Sequence, residues 1–141
     1  MRVSVVLVQT LTPPQEEELW RLYQEEWWTR GRSLEDVRRM LAGSGLVFGM
    51  ITEPSGALAG FARVLTDGVF KAIILDVIVA GPWRGEGLGR RLMGAVLADP
   101  ELAGVQHFEL YCVDEMAPFY EQWGFTTDMG NLCIMRRSAP S

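Results

Sequence analysis

The 141-residue sequence predicts an α/β chain of the α+β kind, in which helices flank a mixed, mostly antiparallel sheet containing one parallel strand pair. Three observations predict it. Turn signals at Pro54-Ser55-Gly56 and Asp67-Gly68 separate apolar runs, as in antiparallel hairpins. The run VFKAIILDVIV, residues 69–79, is apolar enough for the middle of a sheet. An amphipathic helix at 87–98 stands between that run and VQHFELYC at 105–112, and strand–helix–strand is the order of a parallel pair.

Each element has its local reason. RVSVVLV (2–8) reads as a strand. Thr12 caps a helix opened by Pro13 and Pro14, with Leu19, Leu22, Tyr23 and Trp27 at helical spacing. Ser33, with Asp36 three residues on, starts a second helix whose apolar face is Val37, Met40 and Leu41 and which ends at Gly43. Residues 46–53 and 57–65 form a hairpin about Pro54-Ser55-Gly56. In the 87–98 helix, Leu88, Leu92, Val96 and Leu97 lie near one face. Asp114 caps a short helix carrying Phe119 and Tyr120, and NLCIMRR (131–137) reads as a closing strand.

The length suits one domain spanning 1–141, and 48% hydrophobic with 22% charged residues is a globular composition. A net charge of −5 argues against nucleic acid or an anionic membrane as a general partner. The apolar run from Val3 to Val8 is short for a signal peptide, and no stretch reaches the ~18 apolar residues of a membrane span, so a cytoplasmic protein is expected. Cys112 and Cys133 are far apart and are expected as free, partly buried thiols. With His107 the lone histidine, they make no zinc set, and no metal is expected.

The chemistry concentrates in WRGEGLGRRLMGAVL, residues 83–97. Glycines at the start of a helix leave bare amides at a positive dipole end, which is a site for an anion. A Walker loop needs Gly-Lys-Ser/Thr, and the lone lysine, Lys71, lies upstream. A dinucleotide fingerprint counted from Gly85 needs glycine at 90, where Arg90 stands. What remains is Arg84-Gly85-Glu86-Gly87-Leu88-Gly89, following the strand LDVIV, with Arg90 and Arg91 adding local positive charge.

This pattern resembles the coenzyme A pyrophosphate loop of the GNAT (GCN5-related) N-acetyltransferases. A second stretch, Phe119-Tyr120-Glu121-Gln122-Trp123-Gly124-Phe125, is similar to the family's Phe/Leu-Tyr-x-x-x-Gly-Phe motif. The resemblance is tight over residues 74–125, with local similarity to glucosamine-6-phosphate N-acetyltransferase-like members. The family's usual Asn seven residues before the tyrosine is replaced by Val113. The resemblance implies a sheet whose parallel pair splays apart and acetyl-CoA as co-substrate. Its pyrophosphate would lie on Arg84, Gly85, Glu86, Gly87, Leu88, Gly89 and Arg90, and its pantetheine along Val77, Ile78 and Val79. It also implies direct attack by a primary amine on the thioester.

Acyl transfer needs an amine without its extra proton, a donor to the carbonyl oxygen and a donor to the departing thiolate. Tyr120, which the resemblance places by the coenzyme A sulfur, is the expected acid, since a phenol stays protonated at neutral pH; a core aromatic with a hydrogen-bonded hydroxyl is the alternative. Asp76, inside IILDVIV, is one candidate base, because burial raises a carboxylate's pKa. A structural Asp at a strand bulge is the alternative. Glu109, on the His107–Tyr111 face of its strand, is the rival base, and water is a third. The resemblance implies that EEWWTRGRS (25–33) borders the acceptor amine; since Trp27 and Trp28 cannot both face a core from one helix, one of them is a candidate to line that pocket, with Arg30 or Arg32 for an anionic acceptor group, and core packing plus a solvated basic loop is the alternative. The expected partner is a small-molecule amine, and a homodimer is left open. The competing class is a non-catalytic acyl-CoA-binding sensor or subunit on the same fold.

Overall fold

The computed structural model describes residues 4–140. They form two compact units, one ending at Leu110 and the other beginning at Tyr111. The first holds a five-stranded sheet: β1 (Ser4–Val8), β2 (Leu46–Glu53), β3 (Leu58–Thr66), β4 (Lys71–Val79) and β5 (His107–Leu110). The strands lie side by side in chain order, antiparallel except for the parallel β4–β5 pair. This is the predicted mixed sheet. The strand read at 2–8 is found from Ser4; Arg2 and Val3 lie outside the described residues.

Helix α1 (Pro13–Glu25) begins where its cap predicts. The Thr12 hydroxyl accepts from the Gln15 amide, and the Gln15 side chain accepts from the Thr12 amide in return. Helix α2 (Leu34–Gly43) starts with the Ser33 hydroxyl accepting from the Asp36 amide at 3.0 Å. The two helices bring Leu19, Tyr23 and Val37 into one core with Val47, Leu58, Phe61 and Ile78 of the sheet. Helix α3 (Leu88–Leu97) buries Leu88, Leu92, Met93 and Val96, and both α1 and α3 pack on β3. Both side-chain sets of β3 are therefore covered: Phe61 on one face, Ala62 and Val64 on the other, all fully buried. Gly49 in β2 is required by crowding, because a Cβ there would stand 2.8 Å from Leu11 Cδ2 and 3.2 Å from Val8 Cγ2.

Two irregularities of β4 shape the site. Its ladder with β5 runs only from Lys71 opposite His107 to Ile74 opposite Leu110, so Leu75–Val79 have no partner in β5. On the other side, Phe61 pairs Ile78 but Arg63 pairs Leu75. Asp76 and Val77 thus stand against Ala62 alone, which is a β-bulge. Asp76 has φ 56°, the only non-glycine residue with positive φ among those described. Aspartate tolerates this left-handed region better than most residues.

In the second unit a 3₁₀ turn at Asp114–Met116 leads into α4 (Ala117–Glu121). Asp114 does not cap it; Val113 precedes the turn and no side chain caps either helix. The rings of Phe119, Tyr120, Trp123 and Phe125 meet edge to face at centroid distances of 5.0–6.3 Å. The strand expected at 131–137 is not formed: the segment has no strand partner among the described residues, and Leu132, Ile134 and Met135 are exposed. A short apolar run becomes a strand only when a sheet edge supplies its hydrogen bonds. Cys112 and Cys133 are free, as expected, but exposed rather than partly buried.

Candidate active site

The glycine loop leaves β4 through a short 3₁₀ turn at Gly81–Trp83 and enters α3. Gly85 and Gly87 have φ of 82° and 79°, where a side chain is strained, and a Cβ at either would face open space. Gly87 is the N-cap of α3, with no side chain to satisfy the first-turn donors. Backbone amides from Gly85 to Arg90 have no protein acceptor among the described residues. Such a row of free donors at a helix dipole's positive end suits a multi-oxygen anion. Leu88 belongs to this row by its amide alone, since its side chain is in the core. The Arg84 guanidinium donates to Val79 O at 3.0 Å and pairs with Glu26 at 2.9 Å, which holds it beside the loop. Val77, Ile78 and Val79 lie on the part of β4 that has no partner in β5, so that edge of their backbone, apart from the Val79 carbonyl taken by Arg84, is available to a ligand.

Asp76 occupies the bulge, and its surroundings correct the pKa shift expected of it. Its Oδ2 accepts from Arg32 Nη1 at 2.7 Å, Arg63 Nε at 2.7 Å and the Tyr23 hydroxyl at 3.0 Å. Burial alone raises an aspartate's pKa, but the bonds and charges of Arg32 and Arg63 outweigh it, and Asp76 is held below its ordinary value. The expected upward shift is therefore reversed, because two cations from α1–α2 and β3 reach the same oxygen. Burial and the adjacent Asp76 charge push the Tyr23 phenol far above its usual range, so Tyr23 is a donor only. Burial opposes the charge of Arg32, yet its bond to Asp76 prevails and keeps the guanidinium charged. Arg32 also stacks on the Tyr23 ring, 4.7 Å from its centroid.

The other nominated residues are more scattered. Glu109 pairs with Lys71 across the parallel strands at 3.0 Å, with both side chains partly exposed. Trp27 and Trp28 lie in the turn after α1, both exposed, Trp27 at 73%. Trp27 therefore extends the helical spacing of α1 but not its buried stripe. The Arg30 Nε donates to Gln24 O at 3.3 Å. Arg32, expected to be free for an acceptor, is instead half committed: Nη1 is held by Asp76 and Nη2 reaches Asp76 Oδ1 only at 3.5 Å. Tyr120 is buried, and burial with the neighbouring Cys112 raises its pKa to about 12. It stays protonated at neutral pH, but full proton transfer to a thiolate of pKa ~8.5 is uphill. Its hydroxyl suits hydrogen-bond donation instead. A cavity of about 260 Å³ lined by Gln9, Thr10, Glu16 and Arg38, among others, contains none of the nominated residues.

Arg63, Tyr23 and Glu26 are not among the site residues read from the sequence, where Tyr23 figures only in the apolar stripe of the first helix. Arg63 had a usable signal. It interrupts the face that carries Phe61 in an otherwise apolar strand, and a charge there requires a partner such as the lone carboxylate of the next strand.

Comparison with known proteins agrees with this geometry. Residues 10–136 match the Acetyltransferase (GNAT) domain. Serotonin N-acetyltransferase 2, chloroplastic, of Oryza sativa subsp. japonica is 36% identical over 99 residues, covering 69% of this chain and 50% of that protein. The chain thus spans about half the length of that relative. A GNAT-family protein from Xanthomonas campestris pv. campestris superposes with a TM-score of 0.84 at 31% identity, over 97% of this chain and 94% of the other. Glucosamine-6-phosphate N-acetyltransferase from Arabidopsis thaliana shares the fold, with a TM-score of 0.71 at 21% identity over 96% and 98% of the two chains. The free amides of the glycine loop and the open edge of β4 are thus features of a chain that belongs to the GNAT acetyltransferase family.

Proposed function

We propose that this chain transfers an acetyl group from acetyl-CoA to the nitrogen of a small primary amine. The observation that carries the reading is the run of free amides from Gly85 to Arg90 at the start of α3, opened by two left-handed glycines. The residues fit the co-substrate: the amides and Arg84 would hold the pyrophosphate, and the β5-side backbone from Val77 on, apart from the Val79 carbonyl that Arg84 occupies, would hydrogen-bond the pantetheine amides. The acetyl thioester supplies an activated acyl group. The amine nitrogen forms the new C–N bond, the C–S bond breaks, and CoA leaves as thiolate or thiol.

In this reading Asp76 is scaffold and not base, since a carboxylate held low by two guanidiniums has little affinity for a proton. Glu109 is engaged by Lys71. The amine's proton is therefore assigned to water. Tyr120 is assigned, by its motif, as the donor to the departing sulfur. The net charge of −5 disfavours a polyanionic acceptor such as a nucleic acid.

The test is calorimetric titration with CoA, together with CoA-thiol release from acetyl-CoA across a panel of amines. Wild type is expected to bind CoA and to turn over at least one amine. Gly87→Glu meets open space at its Cβ but strains the left-handed backbone at φ 79°, so it is melted and titrated beside Gly87→Ala, which carries the same strain without the charge; the Glu variant is expected to lose far more CoA affinity than the Ala variant, through repulsion at the pyrophosphate. Unchanged affinity in the Glu variant would remove the loop from the site. Tight CoA binding with no turnover of any amine would favour an acyl-CoA sensor.

A further inference from the structure

We propose that the acceptor amine also carries a carboxylate, held by Arg63 and Arg32 beside the β4 bulge; this rests on the acetyltransferase reading above. The cluster is unbalanced. Two guanidiniums, Arg32 and Arg63, share one carboxylate, Asp76, and the fourth member, Tyr23, is neutral. One positive charge is left over in a place largely shielded from water: the Arg63 side chain is 13% exposed and that of Arg32 32%. Nearly buried charge is ordinarily paired.

The hydrogen bonds are unbalanced in the same direction. Arg63 uses only Nε, on Asp76, and its Nη1 and Nη2 have no acceptor among the described residues. Arg32 spends Nη1 on Asp76, while Nε has no acceptor among those residues and Nη2 reaches Oδ1 only at 3.5 Å. Among the described residues no polar side-chain atom fully shut off from water lacks a partner, so the free Arg63 nitrogens are not sealed from solvent. A planar fork of guanidinium donors is matched by the two oxygens of a carboxylate. The single surplus charge matches one carboxylate rather than the nearly doubly charged phosphate monoester.

Location completes the argument. Asp76 is followed directly by Val77, the first of the three residues assigned to the pantetheine. An anion gripped at the bulge therefore lies next to the strand along which the thioester arrives. A molecule with amine and carboxylate a few bonds apart, an amino acid, would present its nitrogen there. Arg32 comes from the segment joining α1 to α2, so that segment and the bulge would close on the same ligand.

The experiment compares CoA-thiol release with α-amino acids, their carboxamides, the corresponding decarboxylated amines, phosphoethanolamine and ethanolamine. At least one amino acid is expected to exceed its own carboxamide roughly 10- to 100-fold in kcat/KM, mainly through KM. Arg63→Gln should bring that ratio to near unity, and Arg63→Lys should restore part of it. Should Arg63→Gln fail to fold, Arg32→Gln, at the more exposed guanidinium, gives the same readout. Equal rates for acids and amides would overturn the proposal, as would a carboxylate preference that survives both Gln variants. Preference for phosphoethanolamine over ethanolamine with no amino acid accepted would replace the carboxylate by a phosphate and also overturn it. Calorimetry with N-acetyl amino acids on the CoA complex reads the subsite without chemistry, and no binding there, with no carboxylate preference in turnover, overturns the proposal. Failure to bind CoA would remove the acetyltransferase reading and this inference together, whereas CoA binding without carboxylate preference removes this inference alone.

Discussion

Substituting Asp76→Asn separates scaffold from base. The carboxylate is 5% exposed, and its Oδ2 takes two guanidiniums and a phenol at 2.7–3.0 Å. Removing the charge leaves two cations facing each other, and breaking a buried pair this way typically costs ~3–5 kcal/mol. Two features reduce the cost: the Arg32 side chain is about one-third exposed and can rehydrate, and Asn keeps one acceptor oxygen. Asn also tolerates the φ of 56° at this position, so no backbone strain is added. The expected loss is about 2–4 kcal/mol, or roughly 6–20 °C in Tm for a chain of this size. Because the folded pKa of Asp76 lies below its unfolded value, the unfolded chain binds the extra proton first as pH falls. The carboxylate's contribution is complete above the ordinary aspartate value of ~3.9 and drains away as pH drops through the folded value. The gap between wild type and Asp76→Asn should therefore be constant at neutral pH and narrow below about pH 4. Urea melts at several pH values measure that gap, and pH–rate profiles are recorded alongside. A stability loss under ~1 kcal/mol, together with a rate drop of ~10²–10⁴ and disappearance of the acidic limb, would restore Asp76 as the base and refute the reasoning.

Tyr120→Phe should lower turnover about tenfold, the worth of one hydrogen bond to a developing anion, while CoA affinity by calorimetry stays unchanged. Since the Tyr120 pKa is raised to about 12, no basic limb below about pH 10 should be traceable to it. A rate within twofold of wild type, with chemistry limiting, would make the residue structural. Glu26→Gln should release Arg84 from its 2.9 Å ion pair and tighten CoA binding by up to about fivefold, the upper range for an exposed pair. Equal or weaker affinity would show that the Glu26 pair positions Arg84 instead of competing for it.

What the sequence by itself determined is local. Thr12 and Ser33 cap helices because their hydroxyls need only the amide three residues on. The Asp67-Gly68 turn forms because the Asp67 carboxylate accepts from three amides within four residues. Gly85 and Gly87 read as an anion loop because left-handed backbone and free helix-end amides are properties of adjacent residues. The tertiary structure decided what depends on distant partners. Burial in IILDVIV predicts a raised Asp76 pKa, but the sign is set by Arg32 and Arg63, 44 and 13 residues away, which reach Oδ2 only once α1, α2 and β3 are packed. NLCIMRR carries a strand's pattern but has no strand, because a sheet edge must supply its hydrogen bonds. Trp27 continues the α1 spacing but falls outside the core, because the helix ends at Glu25. Desolvation and ion pairing act through space, and chain spacing encodes them only where partners are close in sequence.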